Sequence, residues 1–271
     1  MLRIKLTLLT LIISACATVS NSDVILLDSK PINAKSGNIL ENQLKETPID
    51  IWERIRRELT IKIPDDQIAA TSIYRERLYK NQSAVNRISK SGQRYLFHTL
   101  SRAQELDLPV ELALLPFVES EFDPYAKSVD GATGIWQFMP ATGKEWGLKS
   151  NWWYDGKKDV LASTEAALKF LSYLHQKFDE DWLLAMAAYN TGPTRVNRAI
   201  KKNKTQDKGI RFWDLDLPKE TTAYVPKLLV LCELINNPKS FEVNLPSIAN
   251  RPYFQRVKIP GQLDLMQAAD L

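Results

Sequence analysis

The sequence predicts a mainly α-helical protein. Apolar residues recur at helical spacing over most of the chain, and almost nothing alternates with the period of a strand before residue 241. The 271 residues suffice for one or two domains, and 44% hydrophobic with 25% charged residues is ordinary for a globular protein with a sizeable core. The formal net charge of +4 is too weak to indicate a nucleic-acid partner, which requires a clustered basic face.

Residues 1–15 predict a secretory signal peptide. MLRIK supplies a short positive region, LTLLTLII supplies an apolar run too short to span a bilayer, and small residues follow directly. The stretch ISAC, which ends at Cys16, resembles the lipobox of bacterial lipoproteins, in which the cysteine becomes the acylated first residue. That resemblance implies a lipid on Cys16, and Ala17, being a residue other than Asp, implies the periplasmic face of an outer membrane.

The remaining cysteine and histidine residues predict no metal centre and no cofactor. With Cys16 acylated, Cys232 stands alone in an apolar helical run, so no disulfide framework is possible. We expect Cys232 to pack as a small buried hydrophobe. His98 and His175 are too far apart in sequence to suggest a shared metal site.

The N-terminal third predicts a tether followed by helices. Residues 16–48, rich in Ser, Asn, Lys and Thr, predict a lipid-anchored linker. Residues 49–91 predict an N-terminal helical region, and we expect its first helix to be capped by Thr47 with Pro48 as the first helical residue. A second helix is predicted across residues 65–81 from its apolar spacing.

Residues 92–240 predict the main domain. A helix is expected near 93–106, and a second one across 109–121 should kink or restart at Pro116, whose ring frees a carbonyl of the preceding turn. Residues 123–157 are loop-rich and aromatic.

Later helices in this domain are predicted from caps and breakers. Ser163 and Thr164 offer a cap for a helix with one apolar side. A short buried helix should end at Gly192, and another helix should span residues 194–202. We expect Pro226 to interrupt the last helix. Residues 241–271 are Pro-rich and predict an extended C-terminal tail with short strands.

An apolar run that ends in two acids is the strongest chemical signal in the chain. LALLPFV leads directly into Glu119, Ser120 and Glu121. Packing a carboxyl against apolar walls raises its pKa, and glycoside cleavage needs such an acid to protonate the leaving oxygen. Periodicity does not choose between the two acids, and these residues alone also allow both to end a core helix and point to water.

Two further segments carry groups suited to a sugar ligand. In GATGIWQFMPATG, glycines such as Gly134 let backbone approach a ligand, Trp136 can stack on a sugar face, and Gln137 can bond hydroxyl or acetamido groups. In AAYNTG, Tyr189 and Asn190 place a hydroxyl and an amide at a helix end. The alternative is that several of the tryptophans are core residues.

Four segments in this order resemble the lysozyme-like domain of family 1 lytic transglycosylases, over roughly residues 92–240. A tryptophan replaces the commoner methionine of the second motif, and this departure, together with NWWYDGKKDVLASTEAAL, is similar to the membrane-bound D branch. Members of that branch often continue into LysM repeats, and the lack of them here leaves open a short member or a fragment. The four segments are Glu119-Ser120, Gly134-Ile135-Trp136-Gln137, Ala188-Tyr189-Asn190-Thr191-Gly192 and Glu220-Thr221-Thr222-Ala223-Tyr224-Val225.

The resemblance implies a lysozyme-like transglycosylase domain that cleaves the β-1,4 bond between N-acetylmuramic acid and N-acetylglucosamine in peptidoglycan. It implies that Glu119 is the catalytic acid and then base, and that Ser120 hydrogen-bonds this acid. The expected partners are glycan strands and, through Cys16, a membrane, with no nucleic acid. The substrate-binding residues implied are Ser120, Gly134, Trp136, Gln137, Met139, Tyr189, Asn190, Glu220 and Tyr224.

Two other functions remain open at this point. A hydrolytic muramidase of goose-lysozyme type shares the fold, and Asp123 or Asp130 could position its water. A non-catalytic peptidoglycan-binding lipoprotein could keep the fold without the reaction, although the intact Glu119-Ser120 pair argues against this.

Overall fold

The computed structural model describes residues 50–76 and 81–255, and all of these belong to one compact unit. Their backbone is mainly helical, and β-type pairing in these ranges is limited to four isolated bridges. The prediction of a mainly α fold is therefore confirmed. Cys16, the signal peptide and the linker lie outside the described residues. Within the described ranges, no helix has both the length and the apolarity needed to cross a bilayer.

The described residues form ten α-helices and four short 3₁₀ segments. The 3₁₀ segments are Asp65–Gln67, Val110–Leu114, Phe212–Asp214 and Pro238–Phe241. The helices are α1 (Ile51–Arg56), α2 (Ile68–Tyr74), α3 (Gln82–Gly92), α4 (Leu96–Glu105), α5 (Leu115–Glu119), α6 (Pro140–Glu145), α7 (Val160–Lys177), α8 (Trp182–Thr191), α9 (Pro193–Lys204) and α10 (Lys219–Asn236).

Helix α10 is the centre of the core. It packs against α1, α2, α5 and α8, and its apolar residues from Val225 to Ile235 are buried almost all round, as expected of a helix surrounded by others. The predicted interruption at Pro226 is wrong, because α10 runs through it without a break. Pro226 is itself buried, so packing on every side offsets the one hydrogen bond that the proline removes.

Aspartate side chains cap the start of three helices, and two of these caps differ from the predicted ones. Asp50 caps α1 by accepting a 2.6 Å hydrogen bond from Trp52 N, so the helix begins after the predicted Thr47–Pro48 start. Asp159, rather than Ser163 or Thr164, caps α7. An aspartate caps α8 as well, and in all three cases a carboxylate satisfies amides that the first helical turn leaves unpaired.

The segment that carries the acid pair restarts at Pro116, as predicted. The 3₁₀ segment Val110–Leu114 gives way to α5, with the proline in the first turn, where its missing N–H costs nothing. After Glu119 the chain reverses sharply, with Glu121 and Phe122 at positive φ. Phe122 N donates a 3.1 Å hydrogen bond back to Pro116 O, which fixes the end of α5.

The described part of the predicted tail packs onto the body. The indole N–H of Trp52 donates to Pro246 O at 2.9 Å, and Ile51 N donates to Ile248 O at 2.9 Å. Ile248 is buried, and one isolated bridge joins Asp50 to Ala249. Residues 242–255 thus form an extended strap over α1, with this bridge as their β-type pairing. Residues 256–271 lie outside the described ranges.

Gly134 sits in the loop between α5 and α6 at a point of close backbone approach. Its φ is +85°, and a Cβ there would lie 1.9 Å from Lys157 O. Gly147 has the same φ of +85° but nothing within 4 Å of the corresponding position. The two glycines therefore share one backbone conformation and differ in the space around it.

We expect Gly134→Ala to lower the free energy of unfolding by about 3 kcal/mol, since a left-handed conformation and a backbone collision act together. Gly147→Ala is the matched control and should cost only about 1 kcal/mol from the conformation alone. Urea denaturation followed by circular dichroism measures both. Equal losses would show that the approach to Lys157 does not constrain the loop.

Candidate active site

A cleft of about 560 Å³ lies where α5 and α8 end and α10 begins. The loop between α5 and α6 closes one side of it. Seven of the ten residues predicted for the site line this cleft: Glu119, Gln137, Met139, Tyr189, Asn190, Glu220 and Tyr224.

Glu119 is the partly buried carboxyl of this cleft. The hydroxyl of Tyr224 donates a 2.6 Å hydrogen bond to Glu119 Oε1. Removal from water raises the pKa of Glu119 to about 7; the bond from Tyr224 lowers it, and the charge of Glu220 raises it. A large share of Glu119 is therefore protonated at neutral pH, so it can give up a proton there.

Two tyrosine hydroxyls stand near this carboxyl. Burial first, and the Glu119 charge second, hold the pKa of both Tyr189 and Tyr224 well above its ordinary value. Both side chains therefore remain neutral donors. Tyr189 directs its hydroxyl to Trp136 O at 2.9 Å, while its ring packs beside Phe138 and Phe170. Tyr224 is thus the hydroxyl that contacts the acid, and Tyr189 builds the wall.

Hydrogen bonds within the protein orient two amide side chains. One amide keeps its oxygen available to a ligand, and the other keeps its N–H groups. Gln137 Nε2 donates to Gly134 O at 2.8 Å, which leaves its oxygen as an acceptor. Asn190 Oδ1 accepts a 2.8 Å hydrogen bond from Thr221, which leaves its N–H groups as donors. Gln137 adopts a φ of +48°, unusual for a residue with a side chain. The cleft therefore offers one fixed acceptor and one fixed donor group.

Three predicted contact residues are not among those lining the cleft. Trp136 is fully buried, and its indole N–H donates to Thr164 Oγ1 at 3.0 Å, so the prediction that it stacks on a sugar is wrong. Gly134 is close to protein backbone rather than to a ligand. Ser120 donates to Ile135 O at 2.9 Å, so its predicted bond to the acid is replaced by one to the loop.

The structure separates the two acids that periodicity left equivalent. Glu121 is exposed and pairs with Arg87, whose Nε lies 2.8 Å from Glu121 Oε2. It lines a second groove rather than the cleft. Of the two acids, Glu119 is the one that lines the cleft.

The sequence analysis did not predict all residues that line the cleft, and helical spacing could have identified one of them. Lys227 follows Glu220 by seven residues and Tyr224 by three, so all three share one face of α10. Asp130 lines the cleft, whereas Asp123 accepts a hydrogen bond from Tyr125 N and faces the second groove. The other lining residues not predicted are Val118, Ser128, Ala132, Phe138, Thr142, Phe170, Ala188, Thr191, Gly192 and Pro193.

Comparison with known proteins assigns the chain to a family. The Transglycosylase SLT domain matches residues 98–212. A membrane-bound lytic murein transglycosylase D from Escherichia coli (strain K12) is 39% identical over 222 residues, covering 82% of this chain and 49% of that protein. A protein from Alteromonas sp. (strain M-1), named for tributyltin chloride resistance, is 38% identical over 60% of this chain and 77% of its own length.

A similarity to a solved structure is weaker. The crystal structure of the 70 kDa soluble lytic transglycosylase from Escherichia coli shares 23% identity over 52% of this chain and 24% of that chain, with a TM-score of 0.44. At this score the similarity supports no argument about the fold or the function.

The chain belongs to the family defined by the transglycosylase SLT domain. It spans about half the length of the transglycosylase D relative that it matches.

The neighbours of Glu119 should tune its pKa in opposite directions. Tyr224→Phe removes a hydrogen bond to the charged form, so we expect the pKa of Glu119 to rise by about one unit. Glu220→Gln removes a nearby negative charge, so the pKa should fall by a similar amount. Carboxyl ¹³C NMR titration measures both directly. A shift of the same sign in both variants would contradict this account of the electrostatics.

Proposed function

We propose that this protein is a lytic transglycosylase that cleaves the β-1,4 bond between N-acetylmuramic acid and N-acetylglucosamine in peptidoglycan. The observation that carries the proposal is Glu119, a carboxyl with a pKa of about 7 in a cleft walled by aromatic and amide side chains. Its role is to open glycan strands during remodelling or turnover of the cell wall.

In the first step Glu119 acts as the acid. Its proton passes to the oxygen between the two sugars, the bond from that oxygen to C1 breaks, and positive charge develops on the muramyl ring. Without the hydrogen bond from Tyr224 the new carboxylate would be poorly solvated, because burial removes part of its contact with water. That bond therefore stabilises the product of the first proton transfer.

In the second step the same group acts as the base. The Glu119 carboxylate takes the proton from the C6 hydroxyl of the muramyl sugar, and the freed oxygen attacks C1 of that sugar. The product is a 1,6-anhydromuramyl end, and no water is consumed. Intramolecular attack benefits from proximity, so one carboxyl is enough for both steps.

The amides suit the acetamido groups of this substrate. Gln137 offers an acceptor for the acetamido N–H, and Asn190 offers donors for its carbonyl. Met139, 41% exposed at the edge of the cleft, supplies an adaptable apolar surface for a sugar face. Glu220 and Tyr224 act on the acid itself, so substrate binding and proton transfer use different residues.

A second candidate is hydrolysis by the same acid. Asp130 lines the cleft and could position a water molecule against C1. A hydrolytic muramidase requires such a water as its nucleophile. The products separate the two reactions, since transglycosylation leaves anhydro ends and hydrolysis leaves reducing ends.

Glu119→Gln tests the proposed role of the acid. We expect release of soluble muropeptides from purified sacculi to fall by about 10²–10⁴-fold, because the amide can neither give nor take the proton. Glu121→Gln, two residues away and exposed, is the matched control and should retain activity. For the unaltered protein, kcat/KM should fall as pH rises through about 7, since the protonated form of Glu119 is then lost.

Mass spectrometry of the same digests identifies the reaction. Muropeptides lighter by one water than their hydrolytic counterparts are expected. Ordinary reducing ends would establish the hydrolytic candidate instead. Undiminished release by Glu119→Gln would remove the catalytic assignment altogether.

We further propose that the protein is held by a lipid on Cys16 at the periplasmic face of the outer membrane. The ISAC stretch supports this anchor, and the relative from Escherichia coli is described as membrane-bound. Palmitate labelling in cells should be lost in Cys16→Ser and kept in Cys232→Ser, whose thiol is buried in α10. Labelling that survives Cys16→Ser would contradict the anchor.

A further inference from the structure

Two neighbouring tryptophans stand out on the surface of the described chain. Trp152 is 80% exposed and Trp153 is 78% exposed, and their rings lie against each other at an interplanar angle of 32°. Tyr154 beside them is 41% exposed. Large apolar rings grouped in water usually mark a binding surface. The reaction assigned to Glu119 does not use this aromatic loop, residues 151–154.

Hydrogen bonds hold the aromatic loop in one conformation. Asn151 Oδ1 accepts from Trp153 N at 2.9 Å and from Tyr154 N at 2.8 Å. Tyr154 donates its hydroxyl to Asp159 at 2.8 Å, and Ser150 donates to Asp155 at 2.9 Å. A loop ordered in this way presents its rings without a further loss of conformational entropy on binding.

A hollow of about 570 Å³ lies next to the aromatic loop and is lined by lysines. Lys144 and Lys149 are exposed there, whereas Lys157 is held by Asp155, with Lys157 Nζ 2.7 Å from Asp155 Oδ1. The hollow therefore carries two cations that face solvent. Its lining residues are Pro140, Lys144, Gly147, Leu148, Lys149, Ser150 and Lys157.

Helix α6 separates this lysine hollow from the active-site cleft. Thr142 of α6, and Met139 just before it, line the cleft, while Pro140 and Lys144 of the same helix line the hollow. Only one short helix lies between the two. The hollow thus lies between α6, which borders the cleft, and the start of the aromatic loop, because Ser150 lines it too.

We propose that the aromatic loop and the lysine hollow form a second binding surface, which holds the peptidoglycan strand away from the bond being cleaved. The proposal rests on the proposed function, because it takes the polymer in the cleft to be peptidoglycan. Sugar rings stack on flat indoles through their C–H faces, which suits Trp152 and Trp153. Carboxylates of the stem peptides are complementary to Lys144 and Lys149. This surface makes long, peptide-bearing strands better substrates than short ones.

The test compares binding to purified sacculi by the full chain carrying Glu119→Gln, which separates binding from cleavage. Adding Trp152→Ala and Trp153→Ala should weaken sedimentation with sacculi at least about tenfold. Tyr253→Ala, also an exposed aromatic but one that lines the groove of Glu121, is the matched control and should bind unchanged. Trp152→Phe with Trp153→Phe should restore most of the binding, which loss of folding would not explain.

Kinetics with Glu119 intact give a second readout. The alanine pair should raise KM for sacculi while leaving turnover of a tetrasaccharide, which fills only the cleft, unchanged. Unaltered sacculus binding by the alanine pair would overturn the proposal. Binding to vesicles of phosphatidylglycerol and phosphatidylethanolamine is measured in parallel. If the alanine pair weakened only this vesicle binding, the proposal would also be overturned, since the surface would then be a membrane contact. If the protein made no anhydro product but still bound sacculi through the tryptophans, the proposed function would fail and this surface would stand.

Discussion

The partial removal of the Glu119 carboxyl from water is the constraint on which the site depends. Helix α5 has five residues and could not persist alone, so its position comes from packing beneath α10 and from the turn that follows it. Tyr224, 105 residues further along the chain, supplies the hydrogen bond to the acid. The local sequence provides the apolar wall, and the tertiary fold provides the partner.

A layer of buried contacts behind the cleft keeps its walls in place. Trp136 joins the loop before α6 to α7 through Thr164, and its carbonyl receives the hydroxyl of Tyr189 on α8. Ser120 ties the end of α5 to the same loop through Ile135. Trp136 and Ser120 do not line the cleft, yet they connect the four elements from which the cleft is built. Their importance to the site is positional rather than through contact with a ligand.

Much of this arrangement was predictable from the sequence, and the remainder depends on tertiary packing. Helical spacing located most of the helices, the apolar run marked the pair Glu119 and Glu121, and the resemblance to the transglycosylase family chose Glu119. The continuity of α10 through Pro226 was not predictable, because burial on all sides outweighs a local breaker. The burial of Trp136 was not predictable either, since an indole suits both a sugar and a core, and only its partner Thr164 decides between them.

The strap over α1 sets the order in which this fold can be completed. The indole of Trp52 bonds a carbonyl 194 positions later, and Arg54 bonds Asn250, 196 positions later. Contacts so distant along the chain close large loops and form slowly. Helix α1 therefore completes its contacts only when the last described segment is in place. The N-terminal helix of the described chain therefore depends on the C-terminal segment for part of its packing.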